Sequence, residues 1–340
     1  MLGNMILKEN ALLKCYTVHI RMMNWFIRFL NNWTLPVAMT LGIAAYFVAV
    51  RVPFLKSHGG EVMTAISVVQ PVLIFLMLFI TFCKINLSQL RLRSWHLGLL
   101  LFQTACFLLL ASALMCSRGE ESRVAIEGTM LCLICPTATA GAVVTARLGG
   151  DAAGLTTYTI LVNTLVAVLV PLVAPLVHPH PDLGFVSSFF LIMGKVFPML
   201  ICPLFAAMLL KLLAPTVVAF LTAQKNLAFY LWAVALALAL AVTTRSLVHS
   251  EVAVGEILWI GLGSLLACVV QFAFGRFWGR KHGESIAAAQ SLGQKNTVFA
   301  IWMGYTFFTP VTAVAGGFYS IWHNVFNSWQ LYKAEHHRED

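Results

Sequence analysis

Lys295 lies in the run Gln290-Ser291-Leu292-Gly293-Gln294-Lys295-Asn296-Thr297, a polar interruption of an apolar segment. An ammonium at bilayer depth is costly and by default marks function. It offers three N–H donors, no acceptor, and a charge that either persists or leaves as a proton. The amides and hydroxyls around it add donors that suit an oxyanion. A second interruption, Cys135-Pro136-Thr137-Ala138-Thr139-Ala140-Gly141, occupies the matching position in the first half of the chain. Pro136, Gly141 and Gly293 are the expected helix breaks, and discontinuous helices in corresponding positions of two halves point to a secondary transporter's binding site. Breaking a helix in lipid frees N–H and C=O groups, which only protein or a wet cavity can satisfy. The new half-helix N-termini carry partial positive charge, which suits an anion.

The elements that must position these groups are membrane spans. The chain has 340 residues, 60% of them hydrophobic and 10% charged, with a mean hydropathy of +0.85. A soluble domain carries about 25% charge. The apolar runs are continuous rather than alternating, which excludes a transmembrane barrel and predicts an all-α polytopic membrane protein. Ten spans are expected, at roughly 34–52, 62–83, 94–115, 124–147, 152–177, 186–212, 227–247, 255–276, 284–307 and 310–331. The fourth, fifth, ninth and tenth are rich in Gly, Thr, Ser and Asn, which allow close helix approach. With the N-terminus inside, fifteen Lys and Arg fall on the inner side, five outside, and Lys195 and Lys295 within spans. That bias predicts cytoplasmic termini in an inner (plasma) membrane and accounts for the net charge of +9 through basic loops. Two halves of five spans, 34–178 and 186–335, must then be inverted relative to each other, so that the broken fourth and ninth spans can cross at the midplane.

Several motifs carry less. There is no nucleic-acid motif. Cys132-x-x-Cys135 lacks the second ligand pair that zinc needs. Lys8, Lys14, Arg21 and Arg28 interrupt residues 1–33, so that segment reads as an amphipathic interfacial helix or an extension rather than a signal peptide. Lys195 lies about ten residues into the sixth span, without an assignable role. No Asp or Glu is expected at midplane depth; all 13 fall in loops or near span ends.

Three motifs, Cys135-Pro136-x-x-Thr139-Ala140, Gly293-x-x-Asn296 and Ser320-x-Trp322-His323-Asn324, resemble the bile acid:sodium symporter family over roughly residues 34–335. The resemblance implies ten helices in two domains, a panel of spans 1, 2, 6 and 7 and a core of spans 3–5 and 8–10. It implies alternating access with an organic anion in the cleft beside the crossing helices; bile salts and small hydroxy- or keto-acids are the family's substrates. It further implies substrate contacts from Thr139, Ala140, Asn296, Thr297, His323 and Asn324, with Asn324 expected to bond the crossover backbone. His323 reads equally well as a buried histidine bonded to a neighbouring helix.

The chain departs from that family at its sodium sites. The relatives' ninth-span glutamate, and the glutamine four residues later, are Ser291 and Lys295 here. Their fourth-span Ser-Asn pair is Gly141-Ala142, and a fifth-span hydroxyl position is Leu155. Only Thr159 and Gln103 survive of the usual ligand side chains. The Lys295 ammonium is therefore expected to stand where sodium would, on one helix face with Ser291 and solvated by Gln103, Ser291, Thr159 and backbone carbonyls, with Gln294 beside it. Sodium-independent transport of an organic anion, a bile salt or a small carboxylate, follows, with Lys295 either staying protonated or releasing a proton in one state. The expected partners are that anion and the lipid bilayer, with no cofactor, no metal, no enzyme activity and no nucleic acid, and a monomer is the working state. Two alternatives are an arsenite efflux permease, for which Cys132 and Cys135 would matter, and a membrane enzyme or sensor.

Overall fold

The computed structural model describes residues 34–117, 120–224, 227–249 and 252–336. The segment expected over residues 1–33 lies outside them. The described chain is all-helical, without a strand. In order, the main helices are α1 (Thr34–Arg51), α2 (Gly59–Cys83), α3 (Ser94–Cys116), α4 (Glu120–Ile134), α5 (Gly141–Arg147) and α6 (Ala152–Val177). They continue as α7 (Phe185–Leu200), α8 (Cys202–Leu213), α9 (Leu227–Val248), α10 (Val254–Arg280), α11 (Ser285–Gly293), α12 (Thr297–Phe307) and α13 (Ala313–His336). Six stretches among the described residues are long and apolar enough to cross a membrane: α2, α3, α6, α7 with α8, α9 and α10. The protein is thus a multi-pass membrane protein.

Local sequence explains the punctuation. The sixth segment, expected to be continuous over 186–212, is divided at Ile201, where Pro198 precedes and Pro203 follows the junction. Proline removes an N–H from the helix ladder and crowds the preceding turn. Asp151 caps α6, its Oδ1 accepting from Gly154 N at 2.9 Å. The first break spans 135–140, so Gly141 opens α5 rather than lying inside the gap. The second is narrower than the eight-residue polar run, since Gln290–Gly293 stay helical and only 294–296 are extended or turning.

The helices pack in two groups. In one, α9 lies against α1 and α2, and both α7 and α8 against α2. In the other, α10 lies against α4, α11 and α13, with α3, α5, α6 and α12 completing the set. Contacts of α6 with α7 and of α9 with α12 join the groups. Helices α10 and α11 approach each other closely. A Cβ on Gly275 would come within 2.6 Å of Ala288 O, and one on Gly279 within 2.6 Å of Glu284 O. Two glycines four residues apart let the backbones meet, as small residues do between membrane helices. This seats α11, and the break that follows it, against the core.

Candidate functional site

The two breaks cross and bond to each other. Ala138 N donates to Gln294 O at 2.9 Å and Asn296 N donates to Pro136 O at 2.8 Å. These bonds form an antiparallel bridge between Thr137 and Lys295. Each interruption thus supplies part of what the other lost.

Side chains from three other helices and from the first break itself satisfy the freed carbonyls. Gln103 Nε2 of α3 donates to Ile134 O at 2.8 Å and Cys135 O at 3.4 Å, at the end of α4. Thr137 Oγ1 donates to Ser291 O at 2.6 Å, and Tyr319 OH of α13 donates to Gly293 O at 2.7 Å, both near the end of α11. Gln271 Nε2 of α10 donates to Tyr319 OH at 2.9 Å and to Cys132 O at 3.4 Å. Buried backbone groups in an apolar medium require such partners. At the start of α12, Asn296 acts as cap, its Oδ1 accepting from Phe299 N at 3.1 Å. Thr297 N and Val298 N make no backbone hydrogen bond among the described residues, which leaves two N–H donors at a helix N-terminus.

Lys295 lies inside this crossing, 1% exposed. It does not reach toward an interface. Its Nζ donates to Gln103 Oε1 at 3.0 Å, the oxygen that also accepts from Tyr158 OH at 3.0 Å. No other hydrogen-bond partner of Nζ, and no carboxylate paired with it, occurs among the described residues. A geometric chain thus runs from the ammonium through one amide to the carbonyl end of α4.

Four expectations about these residues are corrected. Thr159 does not solvate the lysine: its Oγ1 donates to Leu155 O one turn back on α6. Ser291 does not either, and its buried Oγ has no partner among the described residues. The four-residue spacing from Ser291 to Lys295 does not set one helix face, because α11 ends at Gly293 and Lys295 follows in extended backbone. Asn324 does not bond the crossover; its Nδ2 donates to Ser320 O of its own helix at 2.7 Å. The Gln294 side chain is buried and lies over Gly141, where an added Cβ would meet its Oε1 at 3.4 Å. That oxygen also has no partner among the described residues.

The remaining candidates surround the crossing. Thr139 is half-buried and Ala140 exposed in the turn before α5, while Thr297 is buried at the start of α12. His323 is 4% exposed, its ring edge-on to Tyr319 with centroids 5.6 Å apart, and its Nδ1 is unpartnered among the described residues. Lys195 is exposed on α7, 5.7 Å from the Phe307 ring centroid. Sequence reasoning did not single out Tyr158, Tyr319, Thr137 and Gln271 as supports. The available signal was a tyrosine deep in an apolar span, whose hydroxyl must find a partner when buried. Among the described residues no group of His, Cys, Asp and Glu could hold a metal ion. Comparison with models of known protein families gives no match, and comparison with curated proteins gives none.

Proposed function

We propose that this protein is a secondary transporter of organic anions, of the kind found in the bile acid:sodium symporter family, in which Lys295 replaces the coupling cation. In that reading the chain makes ten spans in two inverted repeats. The group of α1, α2, α7, α8 and α9 is the panel, and the other group is the core. The observation that carries the proposal is the mutual bonding of the two breaks around a buried ammonium. A kink formed for packing alone needs no partner break, and a lysine at that point would be a liability. Around a transport site it has a use: a positive charge and the two free N–H groups of α12 present an attractive site to a carboxylate. The orphaned donors and acceptors of His323, Ser291 and Gln294 are further polar groups in reach of a ligand or its water.

The roles follow from position. Gln103 holds the lysine and the end of α4 together. Thr139, Asn296 through its Nδ2, Thr297 and His323 face the anion. The packing of the helices in two groups supports alternating access by movement of core against panel. Uptake of labelled bile salts and of small hydroxy-acids into proteoliposomes tests the reading. Saturable uptake of one class, competed by its unlabelled form, is expected. Absence of movement for every organic anion, by a protein that stays folded in the vesicles, would remove it.

A further inference from the structure

The buried carboxylate lies elsewhere. Glu127 is 2% exposed and is the only buried Asp or Glu among the described residues. Sequence reasoning placed it near a span end, where interfacial solvation is the default. It sits on α4 eight residues before Cys135, about 12 Å along the helix axis from the crossing. Thr312 Oγ1 donates to its Oε2 at 3.0 Å, and the Thr309 and Thr312 hydroxyls are 2.6 Å apart in the loop between α12 and α13. Its Oε1 is 3.7 Å from Nδ1 of His178, the residue just past α6. The two side chains differ sharply in access: His178 is 39% exposed and Glu127 3%. The imidazole therefore bridges the solution at that end of the bundle and a carboxylate inside it.

Among the described residues no Lys or Arg pairs with Glu127. Arg123, one turn back on α4, directs its guanidinium to Leu114 O at 2.9 Å, Ser117 O at 3.3 Å and Val177 O at 3.1 Å. It thereby closes the ends of α3 and α6. Of the helices packed on α4, α3 contributes Cys116 at its end, α10 contributes Glu256 in its first turn, and α12 contributes Tyr305. The Tyr305 hydroxyl donates to Gln70. Glu120 and Glu121 begin α4 itself, and α13 carries no ionisable group in its first six residues, Ala313–Phe318.

We propose that Glu127 and His178 form a proton-binding site, filled from the solution at the end of the bundle where α6 stops. A proton from water binds the exposed imidazole or passes to Glu127 Oε1, and Thr312 keeps its bond to Oε2 in either case. The pair has net charge −1 with no proton, 0 with one and +1 with two. Only the singly protonated pair can be enclosed in apolar surroundings without uncompensated charge. Closure of that end over Glu127 therefore carries one proton inward. The binding itself does not depend on the transport reading; its use in coupling does.

The experiment is infrared difference spectroscopy of the full chain in lipid nanodiscs during a step in pH, with uptake assays run in parallel. Acidification should add a carboxylic-acid band, part of which is lost in Glu127→Gln and appears at a displaced pH in His178→Ala. Glu127→Gln keeps an acceptor for Thr312, and His178→Ala alters a half-exposed side chain, so both variants should fold. Bands identical in wild type and Glu127→Gln would overturn the site, whatever the transport result. The expected bands with no movement of any organic anion would keep the site and remove the transport reading.

Discussion

Of the Lys, Arg, Asp and Glu side chains described, two are buried, and their surroundings are opposite in kind. Lys295 sits in the middle of the core with one amide oxygen as partner, among backbone ends tied down by Gln103, Thr137 and Tyr319. Glu127 sits toward one end, beside a hydroxyl and a half-exposed imidazole, with a loop for a neighbour. The lysine is enclosed by structure that must persist for the broken helices to exist. The carboxylate is enclosed next to a loop and a half-exposed imidazole. A charge that replaces a bound cation belongs in the first setting, and a charge that exchanges protons with the solution belongs in the second.

Lys295→Ala should break that comparison most severely. Transport should fall at least about 100-fold, while the protein folds with equal or higher stability, because an uncompensated buried charge has been removed. Uptake and thermal melting of the same preparation check both halves. Normal transport would sink the role given to the lysine.

Gln103→Leu comes next and should act on stability as well. It removes the lysine's partner, the donor to Ile134 O and Cys135 O, and the acceptor of Tyr158. Orphaned buried groups cost about 1–3 kcal/mol each, so melting should drop by many degrees along with transport. A variant that melts like wild type would mean that the crossing does not rely on this amide.

Glu127→Gln should leave the maximal rate within several-fold but flatten its dependence on the pH outside, read from uptake across a pH series. The smallest effects are expected from Thr159→Val and Asn324→Ala, whose side chains, among the described residues, bond only their own helices. Uptake within about twofold of wild type corresponds to less than about 0.5 kcal/mol. A large loss in either would place that residue in contact with the moving anion.

The legibility of this site in the sequence follows the same division. The breaks were visible because Pro136, Gly141, Gly293 and a charged residue stand out against apolar runs, and helix type is easily read where such runs are long. The partners of Lys295 were not visible. Regular spacing predicts neighbours only within one helix, and the break before Lys295 removes the helix on which Ser291 would have faced it. Thr159 was misassigned because a hydroxyl in a helix bonds its own preceding turn as readily as a ligand. Glu127 escaped notice for another reason. A carboxylate seven residues into a helix reads as interfacial, and its burial depends on Thr312, 185 positions away.

The proposed role of the Lys295 ammonium is to stand in for a bound cation. Its most direct test is the initial rate of organic-anion uptake into proteoliposomes, with an inward sodium gradient and with sodium replaced on both sides by a large organic cation. Equal rates in the two conditions are expected. Uptake that requires sodium would contradict that role, since backbone carbonyls would then be holding sodium beside an intact Lys295.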